Sequence, residues 1–246
     1  MPIYHTRKRA ESYGQELGVL LLDVAQPFVP GDVGNAQTWG YPVLYRTVPG
    51  CDIERLIYRN EPNIREAVVE SARDLEAQGV RGITSNCGFL LRHQEAAARA
   101  VRVPVFLSSL LQLPMMLSAF ARTRPVGVMT ASQGSLTPEL LRLAGVDPER
   151  DPVIGFGMDR YPSFAAPFMQ DSGTLDTDQL ERDVCDLARH MLDQHPDMGA
   201  ILLECADLGP YGHAVQQATG LPVFDFPTLV NFFVSAQNRP RYSGHY

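Results

Sequence analysis

The stretch Val80-Arg81-Gly82-Ile83-Thr84-Ser85-Asn86-Cys87-Gly88-Phe89 decides how the fold reads. Val80 to Ser85 has the composition of a short strand, and it stops at a cysteine where a helix is expected to begin. A strand end feeding a helix start is where open α/β sheets carry their chemistry. Much later, Met198-Gly199-Ala200-Ile201-Leu202-Leu203-Glu204-Cys205-Ala206-Asp207 repeats the pattern of apolar strand, cysteine and helix start. After each comes a short strand introduced by proline, Val103-Pro104-Val105-Phe106 and Leu221-Pro222-Val223-Phe224, and then another helix. The two halves therefore read as an internal repeat.

Outward from these stretches, Leu17 to Asp23 is a continuous apolar run, the mark of a strand buried on both faces. Val24 to Gly50 is rich in Pro and Gly and reads as a long functional loop, with a possible strand at Tyr41–Val48. Helix-forming residues from Asn60 to Gln78 stop at Gly79. Strands are expected over 103–107, 125–130, 153–157, 200–204 and 222–224. They alternate with helices over 88–100, 109–122, 132–143, 177–194, 210–219 and 228–236, while 158–173 reads as irregular and aromatic-rich. This alternation predicts an α/β chain of two similar doubly wound lobes, each with a mostly parallel sheet. Residues 17–122 plus 223–237 would form the N-terminal lobe and 123–222 the C-terminal lobe, with the active site in the cleft between them.

The 246 residues are 45% hydrophobic and 20% charged, enough for a sizeable core. A net charge of −7 argues against a nucleic-acid partner. No apolar run approaches the roughly 18 residues of a membrane span, and no apolar leader follows the start, so the chain reads as cytoplasmic. Arg7-Lys8-Arg9 reads as a solvated extension. The four cysteines (Cys51, Cys87, Cys185 and Cys205) are then expected as free thiols. No glycine fingerprint or Walker loop marks a nucleotide site, and no Cys or His stands at zinc-ligand spacing from Cys87 or Cys205.

A cysteine at a helix N-terminus sits in the positive end of the dipole, which favours thiolate. Two such thiols across a cleft suit one reaction well: one takes a proton from a carbon beside a carboxylate, the other serves the opposite face. Cys51, after a Pro-Gly turn, and Cys185, inside a helix, read as small packed hydrophobes.

The strand-cysteine pair resembles the aspartate/glutamate racemase superfamily, which includes hydantoin racemases, maleate isomerases and arylmalonate decarboxylases. The segments Gly40-Tyr41-Pro42-Val43-Leu44-Tyr45-Arg46-Thr47-Val48-Pro49-Gly50, Ile83 to Phe89, Pro104 to Leu110 and Leu203 to Tyr211 resemble the algal dimethylsulfoniopropionate lyases, a likeness spanning about 17–234. The resemblance implies that Cys87 and Cys205 are catalytic, that no cofactor or metal is needed, and that a small carboxylate is the substrate. It also implies a homodimer or dimer of dimers. Gly88-Phe89 and Ala206-Asp207 depart from the Asn-Thr and Thr-His/Glu that follow these cysteines in amino-acid racemases, so substrate contacts of glutamate racemases do not carry over.

Asn86, Gly88 and Ala206 flank the cysteines and join the candidate substrate-binding set. Thr130 and Ser132 follow a strand and open a helix, where hydroxyls and backbone N–H groups hold a carboxylate or merely cap. Asp207 orients a thiol or substrate, or caps the next helix. Asn35 and Tyr45 come from the loop that the resemblance lays over the cleft. Phe28, Trp39 and Tyr41 read as packing or lid residues, with a cation–π role if the substrate is a sulfonium. His93 and His213 read as surface or partly packed. The expected function is a racemase or isomerase that abstracts a proton next to a carboxylate. The alternatives are a β-eliminating lyase and a non-catalytic binder of small acids.

Overall fold

Eight short strands assemble into two sheets in the computed structural model, which describes residues 3–6, 10–59 and 61–245. The basic run at 7–9 and Asn60 lie outside the described residues. In the first sheet, β1 (Leu17–Leu21), β2 (Val43–Thr47), β3 (Ile83–Ser85) and β4 (Val105–Phe106) are parallel and ordered β2-β1-β3-β4. In the second, β5 (Val126–Thr130), β6 (Val153–Gly157), β7 (Ala200–Leu203) and β8 (Val223–Phe224) are parallel and ordered β6-β5-β7-β8. The permutation is identical, so the expected fold class of two similar parallel lobes is the observed one. β1, β3, β5 and β7 are almost entirely buried, as inner strands of a sheet covered on both faces must be; the polar Thr84 and Ser85 of β3 are buried with their hydroxyls donating to Phe106 O and Leu107 O.

The strand order places a switch point in each sheet. The chain steps from β1 outward to β2, then returns to the other side as β3, opening a crevice at the carboxyl ends of β1 and β3. β5 and β7 do the same in the second lobe. Helices α1 (Ile64–Ala77), α2 (Gln94–Ala100), α3 (Leu113–Ala119), α4 (Pro138–Leu143), α5 (Pro162–Phe164), α6 (Thr177–Gln194), α7 (Gly212–Thr219) and α8 (Phe226–Gln237) cover the sheets. On α1 the buried residues Ile64, Val68, Ser71, Ala72 and Leu75 recur at helical spacing. One continuous apolar core runs through both lobes.

Two expectations need correction. Residues 223–237 do not return to the first lobe as a block. β8 hydrogen-bonds to β7, and only α8 crosses back, where Phe226, Val230 and Val234 pack with Leu17, Val19 and Trp39. The segment expected to be irregular at 158–173 contains α5 and a π-helical turn at Ala165–Met169, and a second π turn forms at Glu54–Tyr58. Neither π turn has a sequence signal, because both are set by packing around the cleft.

Candidate active site

Both lobes end their inner strands in the same way. β3 leads through Asn86 to Cys87, which N-caps a six-residue 3-10 helix at Gly88–His93 with extended backbone. β7 leads through Glu204 to Cys205, which N-caps a six-residue 3-10 helix at Ala206–Tyr211. The two turns face one pocket. From the first lobe it is lined by Leu22, Gln26, Ile53, Ile57 and Asn86 to Phe89. The second lobe supplies Ala131, Ser132, Phe164, Phe168, Met169, Glu204, Cys205 and Asp207. Both cysteines, though more than a hundred positions apart in the chain, thus open on the same space.

The residue before each cysteine clamps its sheet. Asn86 Oδ1 accepts the Leu22 N–H at 2.9 Å, tying the exit of β3 to that of β1. In the second lobe the Glu204 carboxylate accepts the Ala131 N–H just past β5, and Oε2 also accepts the Thr130 hydroxyl at 2.7 Å. Glu204 Oε1 is buried without a partner. It lies against Gly88, where an added Cβ would overlap Oε1 and come within 2.7 Å of the carboxyl carbon. Ser109 ties the lobes together, its hydroxyl donating to Leu203 O at 3.0 Å.

Behind Cys205 stands a pair of buried aspartates. The Cys205 thiol donates to Asp207 Oδ2 at 3.2 Å, and Asp207 is itself hydrogen-bonded to Asp32 from the long first loop. Asp32 also accepts the Gly34 N–H at 2.6 Å. That loop is seated by close backbone approach: Gly31 has φ +102° and no room for a Cβ, which would stand 2.7 Å from Pro210 Cα.

Burial governs the acid–base chemistry. Desolvation holds the second-lobe carboxyls above their ordinary range: Glu204 is raised to about 7 against the hydrogen bonds from Thr130 and Ala131, and Asp207 to about 6 against those from Cys205 and Asp32. Asp32 is raised by burial and by the charge of Asp207, since two close carboxylates resist ionising together. Both thiols are raised as well. For Cys87 the causes are burial and then Glu204, opposed by the Phe89 backbone N–H. For Cys205 they are burial and then Asp207. The expectation that a helix start depresses these thiols is therefore corrected. The N–H dipole is present at Cys87, but desolvation and nearby carboxylates outweigh it.

No family model matches the chain. Against known proteins, it is 37% identical over 235 residues to dimethylsulfoniopropionate lyase 7 of Emiliania huxleyi, covering 92% of this chain and 68% of that protein. It is 33% identical over 223 residues to the dimethylsulfoniopropionate lyase of Durusdinium sp. clade D, covering 89% and 73%. The chain belongs to the dimethylsulfoniopropionate lyase family. Against lyase 6 of Emiliania huxleyi, at 35% identity and 92% of this chain, it spans only 61% of the relative's length. The fold of this lyase-family chain is that of the aspartate/glutamate racemase superfamily. It superposes on allantoin racemase from Klebsiella pneumoniae with a TM-score of 0.63 at 17% identity, covering 91% of this chain and 89% of that one. For arylmalonate decarboxylase the TM-score is 0.57 at 19% identity, covering 90% and 91%. The protein is an enzyme of isomerase or lyase type.

The pocket of this lyase-family member gathers Asn86, Cys87, Gly88, Ser132, Cys205 and Asp207 from the residues the sequence singled out. Ala206 is buried beneath it, among the residues packed on α8. Thr130 is not free for substrate, because its hydroxyl is committed to Glu204. Asn35 caps the turn at Ala36–Thr38 and donates to Phe28 O at 2.8 Å, while the Tyr45 hydroxyl donates to Val33 O at 3.3 Å. These two shape the loop and do not line the pocket. Trp39 and Tyr41 pack at the β1–α8 face, and the aromatic wall is instead Phe89, Phe164 and Phe168. Neither Ser132 nor Ser135 caps α4; the Thr137 hydroxyl does. His93 is buried, not superficial, and burial lowers it to about 4. His213 is exposed. All four cysteines are free thiols, and Cys51 is a core residue. Among the described residues no helix is long and apolar enough to cross a membrane.

Glu204, Asp32, Gln26 and the π-turn residues Ile53, Ile57, Phe168 and Met169 went unread. A charged residue directly after four apolar strand residues was the available signal for Glu204, since such a position is committed to burial.

Proposed function

We propose that the protein is a cofactor-independent lyase acting on a small carboxylate with a sulfonium group at its β carbon, dimethylsulfoniopropionate itself fitting that description. One observation carries this reading. The pocket holding both cysteines is lined, among the described residues, by three phenylalanines, a methionine, Glu204 and Asp207, and by no Lys, Arg or His. A dicarboxylate would meet the like charge of Asp207, whereas an onium group finds aromatic faces and that carboxylate. Asn86, with Oδ1 taken by Leu22, keeps its amide N–H groups for the substrate carboxylate, alongside Ser132.

In the proposed reaction Cys205 is the base. Its thiol is already hydrogen-bonded to a carboxylate that is in turn held by a third group, the arrangement that activates a thiol. Asp207 takes the thiol proton, and the thiolate takes the proton from Cα. The Cα–H electron pair then becomes the Cα=Cβ double bond as the Cβ–S bond breaks and its electrons leave on dimethyl sulfide. Acrylate and one proton complete the balance. The approaching sulfonium favours thiolate, offsetting the burial that disfavours it.

A second reading, α-racemisation, is favoured by the presentation of two thiols to one pocket from equivalent turns. Both readings begin with the same proton abstraction. Incubation with dimethylsulfoniopropionate and headspace detection of dimethyl sulfide tests the first. Deuterium uptake at Cα of recovered carboxylates, with no sulfide released, would replace it with the second.

A further inference from the structure

Glu204 occupies in the second lobe the position Asn86 holds in the first. Each stands immediately before the cysteine, and each accepts the N–H of the residue just past the neighbouring inner strand, Leu22 or Ala131. That clamp needs only an acceptor oxygen, which an amide supplies in the first lobe. A carboxyl in the second lobe brings an additional ionisable oxygen into a fully buried position, at a cost in desolvation that the clamp does not require. Its use must be sought in the pocket.

The two oxygens of Glu204 are differently placed. Oε2 is occupied by the Thr130 hydroxyl, with the Ala131 N–H also on the carboxylate. Oε1 has no partner, is buried, and lies beside Gly88 at the pocket wall. A proton on this carboxyl therefore resides on Oε1, because Oε2 already accepts. There it makes an O–H donor beside Gly88, in the wall of the pocket that both cysteine turns line. Removal of a Cα proton pushes negative charge onto the substrate carboxylate, and among the described residues no cationic side chain lines the pocket to receive it. A neutral acid in a water-poor site is a strong donor to such an oxyanion.

We propose that Glu204 works as a protonated carboxylic acid, its Oε1–H donating to the substrate carboxylate as that group gains charge in the transition state. It is thus a further catalytic residue, touching the substrate directly, and it rests on the α-proton abstraction proposed above. The groups that set its protonation are named by their elements. Cys87 and Arg92 approach from the turn after β3, Cys205 and Asp207 from its own turn, and Thr130 and Ala131 from the end of β5. Asp207 opposes ionisation of Glu204, and the Arg92 guanidinium, 5.9 Å over the Phe89 ring, favours it.

The requirement for a protonated Glu204 and an ionised Asp207 sets opposite limbs on the pH profile. Glu204→Gln and Glu204→Met separate donor from shape. Gln retains an acceptor for the Thr130 and Ala131 clamp and an N–H donor for the pocket, while Met retains only volume. With dimethylsulfoniopropionate as substrate, the wild-type kcat should fall on the alkaline side near the Glu204 titration. Glu204→Gln should lose that alkaline limb and fall by no more than about tenfold at its optimum. Glu204→Met should lose roughly 100- to 1000-fold, with kcat affected more than KM. A Glu204→Gln profile that keeps the wild-type alkaline limb, or a Glu204→Met enzyme of undiminished kcat, overturns the proposal. A wild type that neither releases sulfide nor exchanges its α proton overturns the lyase reading instead. Far-ultraviolet circular dichroism and thermal melting establish that each variant is folded. Should Glu204→Met not fold, the Glu204→Gln limb alone decides.

Discussion

The cysteine turn that ends β3 and its counterpart that ends β7 share a strand, a clamp residue, an extended N-cap cysteine, a six-residue 3-10 helix and a following α-helix. Their side chains differ in charge. Around Cys87 the chain places Asn86 and Gly88, both neutral. Around Cys205 it places Glu204 and Asp207, with Asp32 brought in from the first loop. Cys87 Sγ receives a backbone N–H, whereas Cys205 gives its proton to a carboxylate. A racemase serving two mirror-image substrates has reason to keep its two sides alike. A lyase that moves one proton one way does not, and the acidic side is where that proton can go.

The sharpest way to break this comparison is to remove each thiol. Cys205→Ala, which removes the base, should lower turnover by roughly a thousandfold or more, and Cys87→Ala by a smaller factor, measured as dimethyl sulfide released, with thermal melting unchanged within a few degrees. Full activity in either variant would show that the matched turns are not a working pair.

Next in size is the pH dependence of stability. The folded values of Glu204, about 7, and Asp207, about 6, lie above those of an unfolded chain, and Asp32 is raised too. A raised carboxyl favours the protonated fold, so its stabilisation is present below the unfolded carboxylate range and is lost as pH climbs through 6 to 7. For Glu204 alone the loss is on the order of 3 kcal/mol. Thermal melting should therefore decline from pH 5 to pH 8, and Glu204→Gln should flatten the upper part of that decline. A wild-type melting temperature that is level across this range would mean that the buried carboxyls are offset elsewhere.

A smaller effect comes from exchanging the residues just past the cysteines. Gly88→Ala puts a Cβ onto Glu204 Oε1 and 2.8 Å from its backbone oxygen, and overpacking of this kind costs about 1–3 kcal/mol. Ala206→Gly, the equivalent position in the second lobe, should cost under about 1 kcal/mol. Denaturant midpoints for the two variants test the order. Asn86→Ala falls between these two: it leaves the Leu22 N–H unpaired at the exit of β1 and should destabilise by about 1–2 kcal/mol. Wild-type stability in that variant would remove the clamp from the comparison.

Much of this was legible from residue order. Strand-like stretches ending at Asn86-Cys87 and Glu204-Cys205 point to buried parallel strands and to a repeat, and the strand ends point to chemistry. Helix ends were readable where a side chain caps, as at Asp176 on α6, whereas the start of α8 at Phe226, capped by Asp225, lies two residues before the expected 228. Other features left no local trace. Asp32 lies far from Asp207 in the chain, and their contact depends on Gly31 allowing the loop down onto Pro210. Of Phe28, Trp39 and Tyr41, read as packing or lid residues, Trp39 and Tyr41 pack beside α8, and the aromatic lining of the pocket comes from Phe89, Phe164 and Phe168. Hydropathy marks a ring as buried, and does not mark which surface it is buried against.

The sequence by itself determined the lobes, the two thiols and the turn each one caps, because periodicity and strand-end residues act over a few neighbours. Only the tertiary structure decided the protonation of the site. A thiol or carboxyl takes its pKa from the water it has lost and the charges it faces, and here those come from both lobes and a distant loop. The dipole at a helix start was a sound local reading, outweighed at Cys87 by burial and by a carboxyl from the other half of the chain.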